Sequence, residues 1–203
     1  MKASGFVVTI LLATIGLVLN GCISRDIIIK PSLPSEMSST DVETPRTVSL
    51  TVYDTRYGNK SGKTLIGESE SLGVHISDIW LEEPPPVFVK RLLENIITPW
   101  GYRVSSGKEL NQLSGHINRF FIESKAINVL QFQFSGVIDV DLSVHQENGT
   151  ELYNGNFVGT CKRVTATEVA GKDNLEKLFN LCIEEFQKQL ESDIKLRYSL
   201  SSK

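Results

Sequence analysis

Three cysteines carry the clearest covalent chemistry in this 203-residue chain, because a thiol can be acylated or oxidised to a disulfide. Cys22 follows a basic Lys2 and an apolar stretch from Phe6 to Leu19, with small Gly21 directly before it. A basic start, a short apolar region and a small residue at the cleavage point are the anatomy of an export signal. The apolar stretch is shorter than the roughly 20 residues that span a bilayer. The sequence therefore predicts an exported chain whose signal ends beside Cys22.

Leu19-Asn20-Gly21-Cys22 resembles the lipobox at which bacterial lipoproteins are cleaved and acylated. The alternative is an ordinary secretory signal cut at the same place, with Cys22 incidental; lipidation is favoured. The resemblance implies that residues 1–21 are removed and that Cys22 becomes an acylated N-terminus anchored in the membrane. Two or more acyl chains hold a protein stably, whereas one chain gives marginal binding. Ile23 and Ser24 replace the aspartate of inner-membrane retention, so the resemblance implies the outer membrane, on its periplasmic face.

Cys161 and Cys182 form the one candidate disulfide pair. The periplasm favours disulfides, and Cys161 shares strand parity with Tyr153 and Phe157, which we expect to face the helix that carries Cys182. A bridge would close a loop of about 20 residues and contribute roughly 3 kcal/mol to stability. Two buried free thiols are the slightly favoured alternative, because cysteine is also a good core residue.

The other reactive side chains give no catalytic, cofactor or metal site. The segment from Gly58 to Thr64 has one residue too few between its glycines for a phosphate-binding loop, and no helix start follows it. Asp139 and Asp141 share one face of a strand, whereas glycosidase carboxylates face each other across a cleft. The three histidines lack the spacing of paired metal ligands. They are His75, His116 and His145. We therefore expect a non-enzymatic protein without cofactor or metal.

Composition and charge limit the classes of partner. Removal of residues 1–21 takes away one charged residue, Lys2, so the 182 remaining residues carry a net charge of 20 − 24 = −4. No basic patch is visible, which argues against nucleic acid. The acidic balance also argues against electrostatic attraction to anionic headgroups. A chain of this length suits one domain with a substantial core.

A change of composition separates the anchor from the domain. Residues 22–46 are punctuated by Pro31, Pro34 and Pro45 and are rich in serine, so we expect a flexible tether, interrupted by a short strand candidate at Ile27-Ile28-Ile29. The folded domain is predicted to cover residues 47–203.

Alternating apolar residues predict most of the strands. Val48, Leu50 and Val52 share one face of a first strand, and Asp54 and Arg56 at its end are interpreted as a turn-stabilising pair rather than a ligand site. Residues 58–73 are predicted to be a long loop, carrying at most a short strand at 64–66. Further strands are expected at 102–105, 113–123, 130–144 and 151–163, with a hairpin turn at 147–150 and a bulge or bend at Gly136.

Two amphipathic helices are predicted from apolar stripes at helical spacing. The first begins near Pro86 and ends before Pro99 and Gly101, and the second runs from Asp173 to about Ile194. Strands followed by helices in this order predict an α+β domain, a mainly antiparallel sheet with two helices packed on one face.

Five short features of the chain together resemble the YajG family of bacterial outer-membrane lipoproteins. They are the lipobox, Val52-Tyr53-Asp54-Thr55-Arg56 after the first strand, Ile66-Gly67, Trp100-Gly101-Tyr102 and the 137–144 strand. The resemblance covers most of the mature chain. It implies an outer-membrane location and an α+β fold, and it offers no catalytic residues to carry over.

Two functional hypotheses follow from these observations. The leading one is a non-catalytic envelope lipoprotein that binds a protein or peptidoglycan-associated partner of the cell envelope. The second is a lipid-binding or transport accessory protein, whose groove would be formed by the bulky apolar residues of the 127–134 segment. The simpler interpretation of that segment, which we favour, is that its apolar residues form the core under the helices.

Overall fold

A computed structural model describes residues 26–33, 45–56, 64–105, 111–128, 131–165 and 171–201. The strands are β1 (Ile27–Ile29), β2 (Arg46–Asp54), β3 (Leu65–Ser71), β4 (Val74–Leu81), β5 (Tyr102–Ser105), β6 (Asn111–Asn128), β7 (Gln131–Gln146) and β8 (Glu151–Thr165). The α-helices are α1 (Pro85–Ile97), α2 (Lys172–Ser192) and α3 (Ile194–Ser201), with a 3₁₀ turn at Thr98–Trp100. The lipobox with Cys22, residues 34–44 and most of the glycine-rich 58–64 segment lie outside the described residues.

The sheet is mixed, and it forks along β6. β6, β7 and β8 form a long antiparallel meander. The other side of β6 has two partners: β2 pairs with residues 112–117, and β3 pairs with residues 122–125. Most paired residues are antiparallel, as predicted, but both of these pairings are parallel, as are β1 with β4 and β2 with β5. Alternation along a strand predicts which face is buried and not which strand lies next to it, so the parallel pairs were not foreseen.

Arg56 occupies the fork between the two partners of β6. Its Nε and Nη2 donate to the two carboxylate oxygens of Asp54, each at 2.8 Å, and its Nη1 donates to the carbonyl of Leu65 at the start of β3. The pair was expected at a strand end, but its side chains are only 4–5% exposed. Thr55 Oγ1 donates to the carbonyl of Ile117, just before the register of β6 shifts by one residue. A buried charge with all three guanidinium nitrogens hydrogen-bonded therefore holds β2 and β3 at the branch point.

Both long helices pack on the same face of the sheet, as predicted. Phe120 of β6 lies between Phe88 of α1 and Phe179 of α2, with ring centroids 5.9 and 5.1 Å apart. The stripes expected at helical spacing are buried. They comprise Val89, Leu92, Leu93, Ile96 and Ile97 of α1, and Leu175, Leu178, Phe179, Cys182, Ile183, Phe186 and Leu190 of α2. The third helix, α3, was not predicted, since the second helix was expected to end at about Ile194.

The segment 58–73, predicted to be a long loop, contains β3 and the turn of a β-hairpin whose second strand is β4. β3 and β4 pair through residues that are polar on both faces, including the buried Ser69 and Ser77, so their alternation is weak. Gly67 permits this arrangement, because a Cβ there would lie 1.6 Å from the carbonyl oxygen of Ile122 in the neighbouring β6. Contact with β6, rather than local propensity, makes the segment a strand.

The N-terminal strand candidate is folded against the domain. β1 pairs in parallel with β4, and Ile29 is fully buried. The backbone N–H of Lys30 donates to Glu176 Oε1, and that of Ser32 donates to Asn180 Oδ1. The described fold therefore begins at Asp26, only four residues after Cys22.

Cys161 of β8 and Cys182 of α2 are joined by a disulfide, with their Cα atoms 4.9 Å apart.

The prediction of a bulge or bend at Gly136 is wrong, since β7 pairs with both neighbouring strands across this residue. The irregularities lie instead at 117–119 and 126–128 of β6 and near His145 of β7. A Cβ at Gly136 would lie 2.8 Å from Cys182 Sγ and 3.0 Å from Cys161 Sγ. Glycine is needed here for room beside the sulfur atoms.

Gly136→Ala is therefore expected to lower the free energy of unfolding by about 1–3 kcal/mol, the usual effect of an extra methyl in a filled core. In a Cys161→Ala/Cys182→Ala background the effect should shrink, because the sulfur atoms that crowd the new Cβ are gone. Urea unfolding of the four variants measures this coupling as a double-mutant cycle.

Gly115→Ala is the matched control, because its nearest neighbour is a Leu142 methyl at 3.3 Å and not a sulfur. Its effect should be the same in both backgrounds. An undiminished effect of Gly136→Ala without the cysteines would show that the sulfurs are not the cause.

Candidate functional site

A cleft of about 460 Å³ opens between the start of β2, the 3₁₀ turn and α3. Its lining residues combine aromatic rings, apolar surface and two guanidinium groups. They are Arg46, Trp100, Gly101, Tyr102, Ile194, Arg197, Tyr198 and Ser201. Gly101 adopts φ +87°, a left-handed conformation suited to glycine, and so turns the chain from α1 into β5 and leaves Trp100 half-buried in the cleft. The predicted stop after α1 is thus also the floor of the cleft.

The outer wall of the cleft is α3, which Asp193 positions. Asp193 Oδ1 accepts a hydrogen bond from the backbone N–H of Leu196, and Oδ2 accepts one from the Tyr153 hydroxyl at 2.7 Å. Burial, and then this carboxylate, raise the pKa of Tyr153 well above its usual value, so the hydroxyl remains a donor. Leu196 and Leu200 are buried, so the helix turns its other side outward. Ile194 and Tyr198 are consequently 68% and 70% exposed.

Two positive charges border the cleft. The Arg46 Nη1 donates to the carbonyl of Ser201 at 3.1 Å, and the Arg197 guanidinium lies 5.9 Å from the centroid of the Trp100 ring. Within the described ranges, neither guanidinium is paired with a carboxylate. A guanidinium on an aromatic face retains donors for a carboxylate or another anion. The cleft can therefore hold an anionic group next to an apolar one.

The structure does not bring the histidines together. His75 lies 3.5 Å from Asp78 and 3.8 Å from Glu68 on the hairpin of β3 and β4. His145 lies 3.6 Å from Glu151, and His116 stacks on Tyr53 at 5.1 Å. In the part of the chain that the structure describes, no three histidine, cysteine or acidic side chains are grouped as metal ligands are.

Asp139 and Asp141 lie side by side on the face of the sheet away from the long helices. Asn156 Nδ2 donates to both carboxylates, at 2.8 and 2.7 Å, and Asn118 Nδ2 donates to Asp141 at 2.8 Å. The Arg119 Nε donates to Asp139 at 2.7 Å. Burial raises the pKa of Asp139, but the hydrogen bonds from Asn156, Arg119 and Asn118 outweigh it, and the pKa is held below its usual value. This arrangement fastens three strands together across the sheet.

Asp139→Asn should therefore destabilise the domain at pH 7. The carboxylate accepts hydrogen bonds from Asn156 and Arg119, whereas the NH2 group of the new amide is a donor and cannot accept them. A carboxyl whose pKa is lowered in the folded state contributes stability above its unfolded pKa of about 3.9, and that contribution is lost as the pH falls through the folded value. In urea titrations, the difference in free energy of unfolding between wild type and variant should hence be smaller at pH 3 than at pH 7. Exposed Glu147→Gln is the control and should leave the pH 7 midpoint unchanged; a constant difference at both pH values would contradict the account.

Most of the apolar segment at 127–134 behaves as core wherever the structure describes it. Phe134 is buried, and Phe132 packs against the core. Ile127 is the exception and is exposed. The cleft was not predicted from the sequence, because Gly101 was interpreted as the end of a helix, and Arg197 and Tyr198 were assigned to no predicted element. The signal that could have indicated it is the run of exposed aromatic and basic residues close to the C-terminus.

Among the described helices, none combines the length and the apolar character needed to cross a bilayer.

Neither a protein-family model nor a curated protein sequence matches this chain. Solved structures are similar to it in fold. Protein XCC0632 from Xanthomonas campestris, of the family DUF330, has a TM-score of 0.52 at 9% identity, with 86% of this chain and 94% of that chain covered. A minor lipoprotein from Acinetobacter baumannii has a TM-score of 0.43 at 10% identity, with 75% and 94% covered. The hypothetical protein CT253 from Chlamydia trachomatis has a TM-score of 0.45 at 8% identity, with 78% and 100% covered.

The likeness to XCC0632 shows a shared fold. The resemblance to the YajG family stays a prediction.

Proposed function

We propose that this chain is a lipid-anchored, non-catalytic lipoprotein of the bacterial outer membrane, whose periplasmic domain binds another envelope protein in the cleft beside α3. The cleft is the observation that carries the proposal. Arg46 and Arg197 border it without carboxylate partners among the described residues, and Ile194 and Tyr198 expose apolar surface beside them. Apolar side chains and guanidinium groups exposed together around one cleft are typical of a binding surface.

The chemistry of the cleft favours an acidic peptide segment with a neighbouring apolar side chain. Guanidinium groups hold carboxylates through paired, charge-assisted hydrogen bonds. Aromatic and arginine side chains dominate binding energy at protein interfaces. A cavity of about 460 Å³ is also within the usual range of ligand pockets, roughly 300–1,000 Å³. One acidic and one apolar side chain of an extended segment would fit together in it.

The membrane anchor has a direct test. The lipobox ending in Cys22 predicts that native protein extracted from membranes has the mass of residues 22–203 plus acyl chains. The same intact mass should be two hydrogens lower than that of the reduced chain, because of the Cys161–Cys182 bridge. A mature chain without acyl mass would refute the lipoprotein proposal.

The cleft is tested by cross-linking in intact envelopes, followed by capture of the protein. Arg197→Ala should weaken recovery of the partner by at least about tenfold, because a charge-assisted hydrogen bond contributes roughly 1.5–3 kcal/mol. Arg46→Ala should act in the same direction. Lys195→Ala is the matched control, since it removes one positive charge from the same helix at a position outside the cleft.

Equal recovery by the arginine variants and the control would remove the cleft from the proposal. The alternative, a lipid-binding or transport accessory protein, predicts a different result: the purified domain would carry lipid in native mass spectrometry, and Arg197→Ala would release it. The described part of the 127–134 segment lends that alternative little support, because Phe134 is in the core.

A further inference from the structure

Four large apolar side chains are exposed at one end of the sheet. Leu72 and Val74, at the turn between β3 and β4, are 66% and 61% exposed, and Ile127 near the end of β6 is 51% exposed. Val164, near the end of β8, is 52% exposed. Single exposed apolar residues are ordinary, but a group at one end of a domain indicates a contact surface.

The strand register places these residues together. β3 and β6 run in parallel with Glu70 opposite Lys125, so two residues further on Leu72 is level with Ile127. Leu72 and Gly73 form the tight turn, and Val74 follows them opposite Ser71. Val164 is opposite Gln133, which is itself opposite Lys125, so it lies two residues behind Ile127. At about 3.3 Å per residue, the four side chains occupy the last 7 Å or so of the sheet.

The N-terminal end of β1 faces the same end of the sheet. β1 is parallel to β4 with Ile27 opposite Ile79, so Ile27 is the residue of β1 nearest to the level of Val74 at the start of β4. Ile27 is the fifth residue after Cys22, and such a segment spans at most about 17 Å. Val74 likewise precedes Ile79 by five residues. An acylated Cys22 can therefore reach this end of the domain, to which β1 is held by its contacts with α2 and β4.

The backbone at Leu72 points to a role outside the fold. Leu72 has φ +51°, and among the described residues it is the only non-glycine with a positive φ. This conformation favours glycine or asparagine, and a leucine there is strained. The Leu72 side chain is mostly exposed, so its burial within the domain does not offset the backbone strain. Strain retained for an exposed apolar side chain suggests that the side chain is buried against something else.

We infer that this end of the sheet, formed by Leu72, Val74, Ile127 and Val164, inserts into the phospholipid surface beside the acylated Cys22. The inference rests on the lipid anchor of the proposed function and deepens it, since the domain is then held against the bilayer and not on a long tether. Apolar contact drives the insertion. The charges just behind the tip are of both signs, with Glu70 paired to Lys125 at 3.3 Å, so anionic lipid is not required.

This orientation also determines where the cleft faces. Arg46, which borders the cleft, pairs with Tyr102 of β5 near the end of the sheet at which β6 begins. Along β6, Asn111 at the start and Ile127 near the end are 127 − 111 = 16 residues apart. Sixteen residues of strand span about 50 Å. The cleft therefore opens away from the membrane, toward partners in the periplasm.

The test uses the full acylated chain reconstituted in phosphatidylcholine vesicles, with phosphatidylcholine brominated near the top of its acyl chains as a tryptophan quencher. Leu72→Trp and Val74→Trp should each add emission that is largely lost in brominated vesicles. Glu147→Trp, in the turn between β7 and β8 at the opposite end, should add emission that is retained. Wild type corrects for Trp80 and Trp100. Val74 has an ordinary backbone conformation, so Val74→Trp carries the test if Leu72→Trp does not fold.

Quenching of the two turn variants and not of Glu147→Trp supports the insertion. Equal emission of all three in brominated and ordinary vesicles, with the chain floating with the vesicles, would overturn it and leave the anchor intact. A chain that does not float and lacks acyl mass would overturn the anchor, and the insertion with it.

Discussion

The buried ion pair of Arg56 and Asp54 is the interaction on which the architecture depends. A guanidinium that is almost wholly removed from water must have its donors engaged, and here they bind a carboxylate at the end of β2 and a carbonyl at the start of β3. Removing either partner would leave a buried charge, which is strongly destabilising. The pair therefore holds together two strands that both need the same side of β6. The ion pair thus stabilises the sheet at the point where it forks.

The fork separates two surfaces with different chemistry. On one branch, β2 and β5 lead to the cleft with its arginine and aromatic side chains. On the other, β3 and β4 lead to the exposed apolar turn at Leu72, and β1 lies beside β4. The long meander of β6, β7 and β8 joins the two ends rigidly. A domain built in this way can be held by lipid at one end and present a binding site at the other.

The local sequence pattern predicted those elements that bury one face and expose the other to solvent. The stripes of α1 and α2, the alternation along β7 and the hairpin turn after it were all predicted, because burial imposes the helical and strand periods on sequence. Pattern was not enough for β3 and β4, whose buried serines and exposed acidic residues hide the alternation. The strand pattern also did not explain Gly136, which was predicted to mark a bulge or bend and instead leaves room for the neighbouring sulfur atoms. The cleft was missed for a related reason, since its residues come from three distant segments.

The sequence by itself predicted an export signal with a lipobox, which stay predictions, and the α+β class, since these follow from local order, composition and periodicity. Only the tertiary structure decided which strands are neighbours, which apolar side chains are exposed together at one end of the sheet and where Arg46 and Arg197 come together. These features depend on contacts between residues far apart in the chain, such as Gly67 with Ile122 or β1 with α2. No local pattern encodes such contacts, because the side-chain period of a strand is the same whichever partner it has.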